Sequence, residues 1–95
     1  MGVVNKMAGT RYELPWLEIS KDVKRAINNE MPELMFINVN RLVDQIEENA
    51  EHYPLLAGLP TQTCRGRCTR VMRNIFGWRT YSNGNGRGTV FVKGE

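Results

Sequence analysis

The chain has 95 residues, 41% hydrophobic and 24% charged, which is ordinary globular usage; it excludes wholesale disorder and points to one compact domain. No apolar run approaches the roughly 18–20 residues that a membrane helix needs. No signal-peptide pattern opens the chain, and Lys6 stands where a myristoylation signal has Ser or Thr, so a soluble intracellular protein is expected. So small a chain has little room for both a deep core and an elaborate catalytic cleft, which favours binding over catalysis.

Charge is distributed unevenly along the chain. Residues 1–59 hold six basic side chains against nine acidic ones, and residues 60–95 hold seven against Glu95 alone, so a net −3 front precedes a net +6 back. Six of those seven are Arg, whose planar fork suits phosphates and guanine edges better than Lys does. Such a split predicts a surface that meets a polyanion, against the simpler reading of a solvated basic face.

Residues 1–16 carry Gly2, Gly9 and Pro15 with no sustained period and are expected to form a flexible arm, with Lys6 and Arg11 within reach of nucleic acid. A first helix is predicted from Ser20 as N-cap, with Asp22 in its first turn. Ile19, Val23, Ala26, Ile27 and Met31 make its buried stripe, and Pro32 stops it. Leu34, Met35, Phe36 and Ile37 form an apolar run with the length of one strand. Asn38 or Asn40 then caps a second helix. Val39, Leu42, Val43, Ile46, Ala50 and Tyr53 mark its inner side, and Asp44, Glu47, Glu48 and Glu51 its solvated side. Pro54, Gly58 and Pro60 end it.

The third helix, residues 61–76, is predicted between Thr61 as N-cap and Gly77 as stop. At 100° per residue Cys64, Cys68, Val71, Met72 and Ile75 fall within about 100° of arc, the width of a core-facing stripe. The opposite face collects Gln62, Thr63, Gly66, Thr69, Arg70 and Arg73, with Arg65, Arg67 and Asn74 beside it, and no acidic residue occurs from 61 to 77. After Gly77 the period becomes two. Trp78, Thr80 and Ser82 alternate with Arg79 and Tyr81, and Val90 and Val92 alternate with Phe91 and Lys93, around the turn signal of residues 83–88. A hairpin over residues 78–93 follows, too small to be stable alone and so packed on the helices.

This order of helix, short strand, helix, turn, basic helix and hairpin resembles the winged helix-turn-helix domain, over residues 17–95. The resemblance lies in element order and charge placement rather than in a diagnostic motif. The 53–60 link is longer than that family's tight turn, leaving room for an extra helical turn. The implied fold is α+β, mostly α: three helices and a C-terminal β-hairpin wing. The implied partner is double-stranded DNA, with the third helix in the major groove and the wing over the backbone or minor groove, as in a small transcriptional regulator. Such a protein would sit with the nucleoid in the cytoplasm, or inside a host cell if it belongs to a virus or mobile element.

Residues near the N-terminus of a recognition helix reach base edges. Gln62 suits adenine, Arg65 guanine, and the Thr63 methyl a thymine methyl. Gly66 costs about 1 kcal/mol against Ala in a helix interior, so either a packing neighbour or a closely approaching ligand should explain it. Arg70 and Arg73, one turn on, suit phosphates, and Arg67 and Thr69 count among the expected DNA contacts. Arg79, Lys93 and Arg87 are the wing contacts, Arg87 at the tip being the candidate for a narrow minor groove. One such module covers only about 600–1,000 Å² of DNA, so a homodimer or a co-bound partner is expected. Its contact surface would come from residues 1–16, including Trp16, or from the 53–59 loop.

Cys64 and Cys68 are spaced i, i+4 rather than as a zinc knuckle, and His52 is the only histidine. Both lie on the apolar stripe, so core packing is expected in place of a metal or redox site. No nucleophile motif, phosphate loop or paired acids in a cleft are present. Neither enzyme activity, cofactor, small-molecule substrate nor membrane partner is therefore expected. The alternatives are an RNA-binding module, for which Trp78 and Tyr81 would offer stacking surfaces, and a protein–protein adaptor that places an acidic partner on the Arg face.

Overall fold

The computed structural model describes residues 14–82 and 88–94. The expectations for Lys6, Arg11, Arg87 and the turn at 83–87 lie outside the described residues. Three helices and a small antiparallel sheet make an α+β, mostly helical fold.

Helix α1 runs Trp16–Glu30, its start five residues earlier than a Ser20 cap predicts. Pro15 precedes it, with a φ of −75° already suited to the first turn, and its carbonyl accepts from the Ile19 N–H at 2.9 Å. Ser20 is not the cap. It is buried inside the helix, and its hydroxyl donates back to the Leu17 carbonyl at 2.8 Å, the alternative use of a mid-helix Ser that a cap-seeking reading overlooks. Asp22, also buried, is bound by Arg25 at 2.8 Å and accepts from the Leu55 N–H at 3.4 Å. Arg25 donates in addition to the His52 carbonyl. These contacts fasten the segment after the second helix to α1.

Strand β1, Phe36–Asn38, leads directly into helix α2, Val39–Glu48. Asn38 is the cap, its side-chain oxygen accepting from the Arg41 N–H at 3.2 Å. Val39, Leu42, Val43 and Ile46 are buried as their spacing predicts. Ala50 is exposed, correcting its place on that stripe, because the α-helix has ended and residue 50 opens a 3₁₀ turn, Ala50–His52. Tyr53 and Leu56 are fully buried, so the 53–59 loop turns its largest side chains into the core.

Helix α3, Thr61–Arg70, begins after Pro60, which occupies the cap position in place of Thr61. It continues as a π turn, Val71–Ile75, closed by the Phe76 N–H on the Val71 carbonyl at 2.8 Å. The wider turn takes in an extra residue, so later positions lag the 3.6-residue phase. Cys64, Cys68, Val71 and Met72 are buried as predicted, whereas Ile75 is 46% exposed and Phe76 packs inward instead. Gly77 ends the element at φ +72°, a conformation side chains rarely adopt.

Strands β2, Thr80–Ser82, and β3, Val90–Val92, pair antiparallel. β1 pairs with the far side of β3, giving the order β1-β3-β2. The early strand and the hairpin are therefore one sheet. Ile37 and Phe91, opposite each other, are fully buried beneath it. Trp78 is 7% exposed and packs against Phe76 at 5.0 Å between ring centroids, with the Lys24 ammonium over both rings.

Candidate functional site

A groove of about 600 Å³ runs along the outer side of α3. Its walls are α3 itself, the first turn of α2 and the chain entering β3. Six of the predicted site residues line it: Gln62, Arg65, Gly66, Thr69, Arg70 and Arg73. Asn74 completes that wall, Val39 and Asn40 come from α2, and Gly88 and Thr89 from the chain before β3. None of these residues carries a carboxylate. The helical period brings the α3 residues to one side, since positions three and four apart are neighbours on a helix surface.

Local contacts hold the groove together. The Val39 N–H donates to the Thr89 carbonyl at 2.9 Å, tying the start of α2 to β3. Arg65 donates to the Asn40 side-chain oxygen at 3.3 Å, spanning the groove from α3 to α2. Gly88 has φ +91°, and a Cβ there would lie 2.6 Å from the Asn40 amide nitrogen. Glycine is thus required for both backbone shape and close approach. The guanidinium of Arg70 sits 4.7 Å from the Trp16 ring centroid, and that of Arg73 lies 5.5 Å from Phe91. These rings orient the two cations. Among the described residues, the ion pairs are Lys21–Glu18, Arg25–Asp22 and His52–Glu51, none of them at the groove. The first turn of α2 also opens onto the groove, adding the partial positive charge of a helix N-terminus.

Gly66 stands on the exposed side of α3, and a Cβ built there meets no atom within 4 Å among the described residues. Among the described residues, no packing neighbour accounts for the glycine.

The remaining predicted residues lie elsewhere. Thr63 is exposed on α3 outside the groove lining. Arg67 is half-buried and donates to the Leu55 carbonyl at 3.1 Å, and its buried Nε has no hydrogen-bond partner among the described residues. It fastens α3 to the preceding loop. Arg79 is exposed just before β2, its carbonyl accepting from the Val92 N–H at 2.8 Å. Lys93 donates to the Pro32 carbonyl at 3.3 Å, at the end of the sheet near the α1–β1 connection. Arg87 lies outside the described residues.

Sequence reasoning missed Val39, Asn40, Gly88 and Thr89. The paired Asn38 and Asn40 held one usable signal: a helix needs one cap, so the second Asn is free for other work.

Cys64 and Cys68 are fully buried free thiols, one turn apart. They share a hydrogen bond that lowers the Cys64 pKa and, with burial, raises that of Cys68 well above the ordinary thiol value. Among the described residues, no His, Cys, Asp and Glu side chains group in threes as a metal site would require, and no helix is long and apolar enough to cross a membrane. No protein-family model, curated protein or solved structure matches the chain.

Proposed function

We propose that this chain is a winged helix-turn-helix protein that binds double-stranded DNA, in the manner of a small transcriptional regulator. The observation that carries the reading is the groove itself: three guanidiniums, Gln62, Asn74 and an unencumbered glycine on one helix face, with no carboxylate among the lining residues. The element order supports it, as does the bonding of the hairpin to β1, which holds wing and helices in one body.

The physics of each part follows. A helix is about 10–12 Å across with its side chains, and a major groove is about 12 Å wide. α3 enters with its first turns leading. Gln62 and Arg65 meet base edges, and the backbone at Gly66 lies against the duplex. Arg70 and Arg73, one to two turns later, meet phosphates. The β3 side of the groove, Gly88 and Thr89, follows the DNA backbone.

The decisive measurement is an NMR titration with a random-sequence duplex at low salt. Expected are shifts at Gln62, Arg65, Gly66, Thr69 and Arg73 that fade as salt rises, because binding releases counterions. Competition with duplex RNA fixes the duplex type. If no duplex shifts these resonances at low salt, the adaptor reading replaces this one.

A further inference from the structure

The outer surface of the sheet is chemically unlike the groove. Pleating sends alternate residues to opposite faces. Ile37 and Phe91 point inward and are fully buried, while their neighbours Phe36 and Val92, paired with each other, point outward. The hairpin register slips between Thr80 and Ser82, and the residue inserted there is Tyr81. A bulge of this kind re-aims a side chain. Here it brings the Tyr81 ring to 4.7 Å from that of Phe36, inclined at 54°, across the central strand. Phe36 is 50% exposed and Tyr81 67% exposed. Two large rings are thus gathered into contact with each other and left in water.

A cation belongs to this face. Arg79 stands opposite Val92, whose N–H its carbonyl accepts, so it belongs to the same outward row as Phe36 and Val92. It is exposed, and it forms none of the ion pairs found among the described residues. None of the three strands contains a carboxylate. A second copy of the chain docking here about a two-fold axis would bring like cations together. An anionic ligand with flat apolar faces is complementary to every feature.

We propose that the outer sheet face is a stacking platform for unpaired nucleobases, with Tyr81 and Phe36 as the stacking rings and Arg79 as the phosphate contact. The two rings already touch, so bases stack on their outward faces rather than between them. Trp78, the other aromatic that might have served, is buried in the core. None of these three residues lines the groove, and single-strand binding on the platform does not depend on the duplex reading.

The test is fluorescence anisotropy with a labelled oligothymidylate of roughly ten nucleotides, its oligouridylate counterpart, and a hairpin duplex. Tyr81→Ala and Phe36→Ala are expected to weaken both single strands by about five- to a hundred-fold each, the usual effect of removing a stacking ring. Neither change should alter duplex binding. Tyr81→Phe and Phe36→Tyr keep the rings and should keep the affinity, which guards against a folding defect in the alanine variants. Preference between the thymidylate and the uridylate separates a DNA ligand from an RNA one. Single-strand affinity that survives both alanine changes overturns the proposal, as does wild-type protein that ignores both oligomers. Sedimentation showing a dimer that Tyr81→Ala dissociates overturns it in favour of a second copy. Single-strand binding without duplex binding overturns the groove reading alone.

Discussion

Gly66→Ala separates what the protein needs at this position from what its ligand needs. Gly66 lies within α3 and has helical neighbours on both sides, so an Ala there gains about 0.8–1 kcal/mol of helix propensity. Nothing within 4 Å of the new Cβ has to move among the described residues, so the gain should be fully realised. For a domain of this size it raises the melting temperature by about 4–8 °C. The same methyl stands out from the floor of the groove, where the proposed duplex lies against the backbone. A displacement of the helix from the bases would cost tenfold or more in affinity, about 1.4 kcal/mol. Circular dichroism melts and duplex titrations at two salt concentrations measure both effects on one sample. The expected result is a more stable protein that binds duplex less well. A more stable protein with unchanged affinity and salt slope would refute the close approach, and with it the placement of α3 in a major groove.

Three further outcomes are expected. Arg70→Ala and Arg73→Ala should each weaken all duplexes about equally and lower the slope of log affinity against log salt by about one, measured by titration across a salt series. Gln62→Ala and Arg65→Ala should blur preference at particular base pairs, losing about 1–3 kcal/mol of discrimination in a sequence-selection assay; equal loss on every sequence would mean that neither contacts a base. Tyr53 has its phenol pKa raised above 10.0, first by burial, then by the Glu30 carboxylate it bonds at 3.0 Å. Its proton is held more tightly folded than unfolded, so the stability it lends is intact below pH 10 and falls as pH climbs from there through the folded value. Urea midpoints should drop more steeply above pH 10 in the wild type than in Tyr53→Phe.

Legibility in the sequence followed the range of the interactions involved. The inner stripe of α2 up to Ile46 and that of α3 as far as the start of the π turn rest on the 3.6-residue period: Val39, Leu42, Val43 and Ile46, then Cys64, Cys68, Val71 and Met72. The stop at Gly77 is a local backbone property and was equally visible. The start of α1 was not, because a serine that bonds backward to Leu17 looks the same in sequence as one that caps. The π turn was hidden for a different reason: Phe76 and Trp78 pack with Lys24 from α1, and that tertiary contact selects a helical phase that propensity does not. Among the site residues, Arg65, Arg70 and Arg73 could be read from face and sign alone. Arg67 and Lys93 could not, since the Leu55 and Pro32 carbonyls that engage them are 12 and 61 residues away. The bulge that places Tyr81 on Phe36 also depends on cross-strand register, which a turn-and-alternation pattern leaves open.

α3 meets two opposed requirements, and its sequence separates them by face and by position. Its outer face must stay polar and open, so hydrophobic burial has to come from a narrow inner stripe. Cys64 and Cys68 are small, and both are fully buried one turn apart. A small stripe permits close packing against α1 and α2 but supplies less buried area than Leu or Ile would. The shortfall is made up beyond the groove. Val71 and Met72 continue the inner stripe into the π turn, and the turn's extra residue brings Phe76 to the core while Ile75 is left outside. At the other end Arg67 reaches the Leu55 carbonyl and Arg65 reaches Asn40. The helix is therefore pinned on either side of Gly66, where a Cβ would meet no neighbour among the described residues. A helix that only had to fill space would gain from an alanine and a mixed-sign surface in that stretch. This one has neither, and in the proposed reading a duplex seated against the groove accounts for both omissions.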